Sequence, residues 1–383
     1  MSVTAAKGFT AAGVAAGLKD SGKPDVCLVV NVGPRFDAAG VFTTNRIKAA
    51  PVLWSQQVLA AGELRAVATN SGGANACTGP DGFADTHHTA EHVAGLLGCG
   101  AGEVAVCSTG LIGERLPMDL LLPGFDAAHA SLGEAGGDSA ALAIMTTDTV
   151  PKTAVVNGEG FVVGGMAKGA GMLAPGLATM LCTITTDASV DTEILRRVLT
   201  NATRVTFDRI DSDGCMSTND TVLIMASGAS GVAPTEAAFA AAVNAVCEQL
   251  ARELIADAEG ASKDIQINVL NAKTEAEALE VARAISRSNL LKCAIHGEDP
   301  NWGRVISAAG TTQAEFEADQ IAVAINGVWV CRAGSVGEPR DLVDMSSRDV
   351  VIDVDLRAGL AGVTLWTNDL TADYVHENSA YSS

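Results

Sequence analysis

A mixed α/β fold follows from three features of the 383-residue sequence. Short β-rich runs closed by turn residues alternate with stretches of helical period. Glycine (40 residues) and small aliphatics dominate, and aromatics make up only 4%, a texture that lets backbone layers approach closely. Hydrophobic residues reach 48% against 18% charged, enough for a large core and too many for a disordered chain. In chain order, residues 24–33 (PDVCLVVNVG), 63–73 (ELRAVATNSGG) and 102–110 (GEVAVCSTG) read as strands. Residues 85–98 (DTHHTAEHVAGLLG) read as a helix, with Asp85 placed to cap it and Gly98 to stop it. The clearest helix covers 234–260, where Phe239, Val243, Cys247, Leu250 and Leu254 recur at helical spacing. After DAEGASKD (257–264) the run IQINVLNA starts a new strand, and residues 350–370 are again β-rich. The expected division is a larger domain, 1–260, and a smaller α/β domain, 261–383.

Charge excludes several functions. With 25 Lys+Arg against 45 Asp+Glu the net charge is −20, which repels phosphate backbones and anionic lipid. No nucleic-acid or membrane partner is expected. The first residues, MSVTAAKGFTAAGVAAG, lack the apolar core of a secretory signal, and no apolar run has membrane-spanning length. A soluble, cytoplasmic protein is expected. Nine cysteines, Cys27 to Cys331, are spread without a C-x-x-C pair and are expected to be buried thiols of a reducing compartment.

The most informative segment is 160–188, GFVVGGMAKGAGMLAPGLATMLCTITTDA. Three readings compete for it. As a dinucleotide fingerprint, Gly169-Ala170-Gly171 with Ala174 fits G-x-G-x-x-[GA] and Asp187 stands near the ribose-binding distance, but Pro175-Gly176 interrupts the helix the motif needs. As a plain strand-loop-strand connection, Thr179 is a buried strand residue. As a self-cleavage site, cutting Ala178-Thr179 gives Thr179 a free α-amine to serve as base for its own weakly nucleophilic hydroxyl. That amine has an ordinary pKa of about 8, and a cation such as Lys168 lowers it further. Composition alone leaves the three open.

Wider motifs add a resemblance. MAKGAGMLAP followed by LATML resembles the self-cleaving site of the ornithine acetyltransferase family of arginine biosynthesis. Seven further blocks follow in family order: NSGGANACTG (70–79), CSTGLIG (107–113), AIMTTD (143–148), STNDT (217–221), DAEG (257–260), DPNWGR (299–304) and ENSAYSS (377–383). The resemblance implies an Ntn-like layered αββα sandwich with a smaller α/β C-terminal domain, cut into 1–178 and 179–383. It implies acetyl transfer from N-acetylornithine to glutamate through acetyl-Thr179, with Thr109 and Gly110 as oxyanion hole. Substrate-binding positions map to Thr146, Lys168, Thr179, Glu259, Asn378 and Ser383. Lys168 suits a carboxylate and Glu259 an ammonium. The fragments would assemble as a heterotetramer of two α and two β chains, without metal or cofactor, and acetyl-CoA is left open as a co-substrate. The alternatives are an Ntn-type amidase or aminopeptidase, in which water takes the acyl group, and an uncut, non-catalytic acidic binding protein.

Other signals are weaker. His87, His88 and His92 include an i, i+4 pair, but no third metal-ligand motif accompanies them. In Asp211-Ser212-Asp213-Gly214, placing Gly214 as the EF-hand glycine puts Arg209 at the first ligand position and Asp220 where Glu belongs. In DPNWGR, Asp299 with Arg304 reads as an ion pair and Trp302 as a core anchor.

Overall fold

The computed structural model describes residues 2–174 and 180–380. The chain begins β1 (Phe9–Val14), β2 (Val26–Asn31), β3 (Asp37–Phe42), α1 (Ala50–Val58), β4 (Ala66–Asn70), α2 (Gly79–Leu97), β5 (Val104–Ser108), α3 (Met118–Ala130) and α4 (Gly137–Ala143). It continues through β6 (Lys152–Asn157), β7 (Val162–Lys168), β8 (Leu181–Thr186), α5 (Thr192–Val205), β9 (Thr221–Ala226) and α6 (Glu236–Ala256). Then follow β10 (Asp264–Ala272), α7 (Glu275–Ser286), α8 (Asn289–His296), α9 (Trp302–Ala309), β11 (Ala322–Ile325), β12 (Val328–Arg332), β13 (Ser335–Val336), β14 (Asp349–Asp355), β15 (Ala361–Asn368) and α10 (Ala372–Ala380).

Two sheets, ordered β1-β2-β4-β5 and β3-β9-β8-β7-β6, stack face to face. Phe9, Cys27, Val29 and Val67 of the first meet Ala38, Met166, Leu181 and Met225 of the second. Helices cover both outer faces: α2 and α3 supply Val93, Leu121 and Phe125 on one side, and α5 and α6 supply Leu199, Phe239, Leu250 and Leu254 on the other. The layering is the expected αββα. It explains why β2, β8 and β9 show no in-and-out alternation and are buried at every position, since both faces of each sheet are covered.

A third sheet, β13-β12-β11-β14-β10-β15, has its own core. Here Ile265, Ile267 and Val269 alternate with part-exposed neighbours along β10, because α7, α8 and α9 cover one face.

Residue 179 falls between β7 and β8, which pair antiparallel from Val163↔Thr186 to Lys168↔Leu181. β8 also pairs with β9, and β9 with β3. Strands that follow residue 179 are thus held between strands that precede it.

Several local expectations are corrected. Helix α2 starts at Gly79, with Pro in its first turn. Asp85 does not cap it: its carboxylate is buried mid-helix and accepts from Arg115 Nε and Nη2 at 2.9 and 2.7 Å. Gly98 does end the helix. Helix α6 ends at Ala256 and is capped at its start by Thr235. No helix follows Gly169-Ala170-Gly171 in the described residues, so the dinucleotide reading fails. Asp299 does not pair with Arg304: it faces Arg340 at 3.8 Å, while Arg304 donates to the Leu290 carbonyl. Trp302 is only partly buried against the third sheet's core. Cys77, Cys215 and Cys293 are exposed, and Cys99 half-buried, so burial holds for the other cysteines alone. Among the described residues no helix is long and apolar enough to cross a membrane.

Candidate active site

The site forms where β5 and β7 end beside the loop after α6. Thr109 directly follows β5; its N–H donates to the Asn70 carbonyl at 3.0 Å and its own carbonyl accepts from Gly73 N–H at 3.0 Å. Gly110 has φ 136°, and a Cβ there would stand 2.7 Å from the Gly73 nitrogen. Only glycine fits, which leaves the backbone of NSGGAN packed directly on that of CSTG. Asn219 locks this junction from the STNDT block, its buried amide donating to the Ala74 and Ser108 carbonyls, each at 2.7 Å.

Lys168 closes β7. It is buried, and its Nζ donates to Thr109 Oγ1 at 3.2 Å. A hydroxyl has two lone pairs and one proton, so a cation on the oxygen leaves the Thr109 proton available and strengthens it as a donor. Burial is the main influence on Lys168 and pulls its pKa below the usual lysine value; Asp148, Asp220 and Glu259 work against that.

Glu259 lies just beyond α6. Its N–H donates to the Ala170 carbonyl at 2.9 Å, and its carboxylate accepts from Thr147 Oγ1 at 2.8 Å and Asn378 Nδ2 at 3.0 Å. Gly171 makes this approach possible, since a Cβ there would sit 2.4 Å from Glu259 Oε2. The negative charges after the helix C-terminus, unfavourable to its dipole, have specific partners: Asp257 pairs with Lys152 at 2.5 Å, while Glu259 turns to the site. Through Asn378, helix α10 reaches the same point.

Thr109, Gly110, Thr146, Thr147, Lys168, Gly171, Met172, Glu259 and Asn378 line one cavity of about 190 Å³. A wider cleft of about 770 Å³, lined among others by Thr147, Glu259, Gly260 and Glu377, shares Glu259 with it. Six of the expected positions therefore converge. Ala178, Thr179 and Ser383 lie outside the described residues. Sequence reasoning missed Thr147, Asp148 and Lys152. The AIMTTD block contained the first two, but what they do depends on their partners: Thr147 and Lys152 meet Glu259 and Asp257 far along the chain, and Asp148 meets Gly169 across the open end of the β6–β7 pair.

Asp220 sits at the start of β9. Its Oδ1 accepts from the Met180 N–H at 3.1 Å, and burial raises its pKa well above the carboxylate range. Its neighbours explain why no calcium loop forms: Asp211 accepts from Arg287 and Asp213 from the Met172 and Cys215 N–H groups. His92 binds Asp126 at 2.8 Å and His87 packs on Trp54, 5.0 Å between ring centroids. Among the described residues no group of three or more His, Cys, Asp or Glu side chains is arranged to hold a metal.

The family model described as the ArgJ family matches residues 10–383. The chain belongs to the ArgJ family. It is similar over its whole length to proteins named arginine biosynthesis bifunctional protein ArgJ: 71% identical to that of Streptomyces coelicolor over 383 residues, covering all of both chains. Identity to the Mycobacterium leprae ArgJ is 56% over 391 residues, covering all of this chain and 96% of the other. A solved structure, ornithine acetyltransferase complexed with ornithine from Mycobacterium tuberculosis, is 59% identical over 47% of this chain and 96% of its own, with TM-score 0.43. Of the sequence blocks, CSTG, AIMTTD, MAKGAGM, DAEG and the segment around Asn378 line the cavity, and NSGGAN packs behind CSTG.

Proposed function

We propose that this cavity transfers an acetyl group from N-acetylornithine to glutamate, yielding ornithine and N-acetylglutamate for arginine biosynthesis. The observation that carries the reading is the convergence of the Thr109 hydroxyl, the Lys168 ammonium and the Glu259 carboxylate on one small cavity beside the start of β8. Cleavage of Ala178-Thr179 frees the Thr179 α-amine. Thr179 Oγ attacks the acetyl carbonyl and its proton passes to that amine. The Thr109 O–H and Gly110 N–H hold the resulting oxyanion, an arrangement whose single donors are typically worth about a hundredfold to a thousandfold in rate. Collapse breaks the C–N bond, and the departing ornithine amine takes the proton. The glutamate amine then attacks acetyl-Thr179 by the same route in reverse, a ping-pong transfer.

Lys168 holds the substrate carboxylate, with Thr146 and Asn378 beside it and Ser383 as a further ligand. Glu259 holds the ornithine side-chain ammonium. Acetyl-CoA serves as a second acetyl donor to glutamate, and neither metal nor bound cofactor takes part. Residues 1–260 act as the catalytic unit and 261–383 as an appended unit whose end returns to the site. The fragments stay together because β8 and β9 are held between β7 and β3, and two copies of each form a heterotetramer in the cytoplasm. The test is acetyl transfer by purified protein given N-acetylornithine with and without glutamate. Ornithine release that depends on glutamate supports transfer; equal release without glutamate would instead mean hydrolysis.

A further inference from the structure

One buried carboxylate outside the groups used above reaches the site from several directions. The Asp148 side chain is fully buried. Its Oδ1 accepts from Lys152 Nζ at 2.7 Å and from the Gly169 N–H at 2.7 Å, and its Oδ2 accepts from the Thr146 N–H at 2.9 Å. Gly169 directly follows Lys168, and Thr146 lines the cavity. Lys152 is itself buried and pairs with Asp257, two residues before Glu259.

We propose that Asp148 is a positioning residue of the acetyl-transfer site, anchoring Lys168 and the backbone at Gly169 and Thr146 as one charged cradle for the substrate carboxylate. The inference rests on the reading of Lys168 as the partner of that carboxylate. A buried ammonium tends to shed its proton unless an anion compensates it. Of the groups facing Lys168, Asp148 does most to keep it charged, ahead of Asp220 and Glu259. Lys152 and Lys19 act the other way as like charges. Asp148 itself is held down at about 2: burial raises it, but Lys168 and Lys152 outweigh burial. The carboxylate is thus ionised at any working pH.

The two neighbours act on Lys168 with opposite sign, and this separates a charged cradle from mere packing. Asp148→Asn removes the anion and one acceptor; Lys152→Met removes a like charge. The experiment measures KM for N-acetylornithine against pH on the cleaved enzyme, for wild type and for Asp148→Asn, Lys152→Met and Lys168→Met. In the wild type KM rises at alkaline pH as Lys168 deprotonates. In Asp148→Asn that inflection moves to lower pH, and KM at neutral pH rises by about tenfold, as for a weakened charged hydrogen bond, with a smaller change in kcat. In Lys152→Met the inflection moves to higher pH. Inflections that stay in place, or move in the same direction in both variants, overturn the inference. Where Asp148→Asn does not fold, Lys152→Met alone decides, and absence of an upward displacement overturns it. Lys168→Met tells the two levels apart. An unchanged KM there defeats the reading of Lys168 itself, whereas a raised KM with unmoved inflections defeats the role of Asp148 alone.

Discussion

Replacing Glu259 by Gln tests how the two substrates are told apart. N-acetylornithine carries a side-chain ammonium that glutamate lacks, so a carboxylate devoted to that ammonium matters to one half-reaction only. The substitution keeps the side chain's length and one oxygen, which can go on accepting from Asn378 Nδ2 while the new amide N–H donates to the Thr147 hydroxyl, the two partners of the native carboxylate. What disappears is the charge. A hydrogen bond to a charged group is worth about 1.5 to 3 kcal/mol, which at about 1.4 kcal/mol per decade is roughly a 10- to 150-fold loss. The expected result is that kcat/KM for N-acetylornithine falls by that factor while KM for glutamate changes by no more than about threefold. The assay follows ornithine release with each substrate varied in turn. Equal losses for both substrates, or none for N-acetylornithine, would refute the assignment.

Gly171→Ala should reproduce this selectivity while leaving the charge of Glu259 in place, because the new methyl would collide with Glu259 Oε2 and displace it; substrate-resolved kinetics check it. Thr109→Val should lower kcat by about a hundredfold to a thousandfold, with KM changing far less, in steady-state assays on cleaved protein. Asp148 has its pKa depressed to about 2 in the folded state, so it contributes stability above its unfolded value of about 3.9 and loses it as pH falls toward about 2. Urea midpoints should therefore drop over that acid window, and the drop should be shallower in Asp148→Asn.

Much of the fold is legible in the sequence because the strongest signals are local. The runs that form β2, β4 and β5 end in turn residues, and helix α6 shows its apolar stripe directly. Helix α2 was harder, since Gly79-Pro80-Asp81-Gly82 resembles a turn although Pro is also favoured in a helix's first turn. The function of Asp85 was hidden because its partner, Arg115, stands thirty residues on. β1 and β3 consist largely of small residues, FTAAGV and DAAGVF, whose strand character comes from pairing with β2 and β9. The site follows the same rule. Family blocks mark its positions, but the contacts that give them meaning arise only on folding: Lys168 meets Thr109 where β7 of one sheet ends beside β5 of the other, and Asp148 meets Gly169 where β6 and β7 pair.

In the proposed mechanism Thr179 becomes the first residue of its own fragment and carries the acetyl group. Intact-mass measurement under denaturing conditions, on protein incubated with N-acetylornithine alone, tests it directly. Two fragments, 1–178 and 179–383, are expected, the second heavier by one acetyl group that disappears when glutamate is added. A single uncut chain, or a cut chain that never gains the acetyl group, would contradict it.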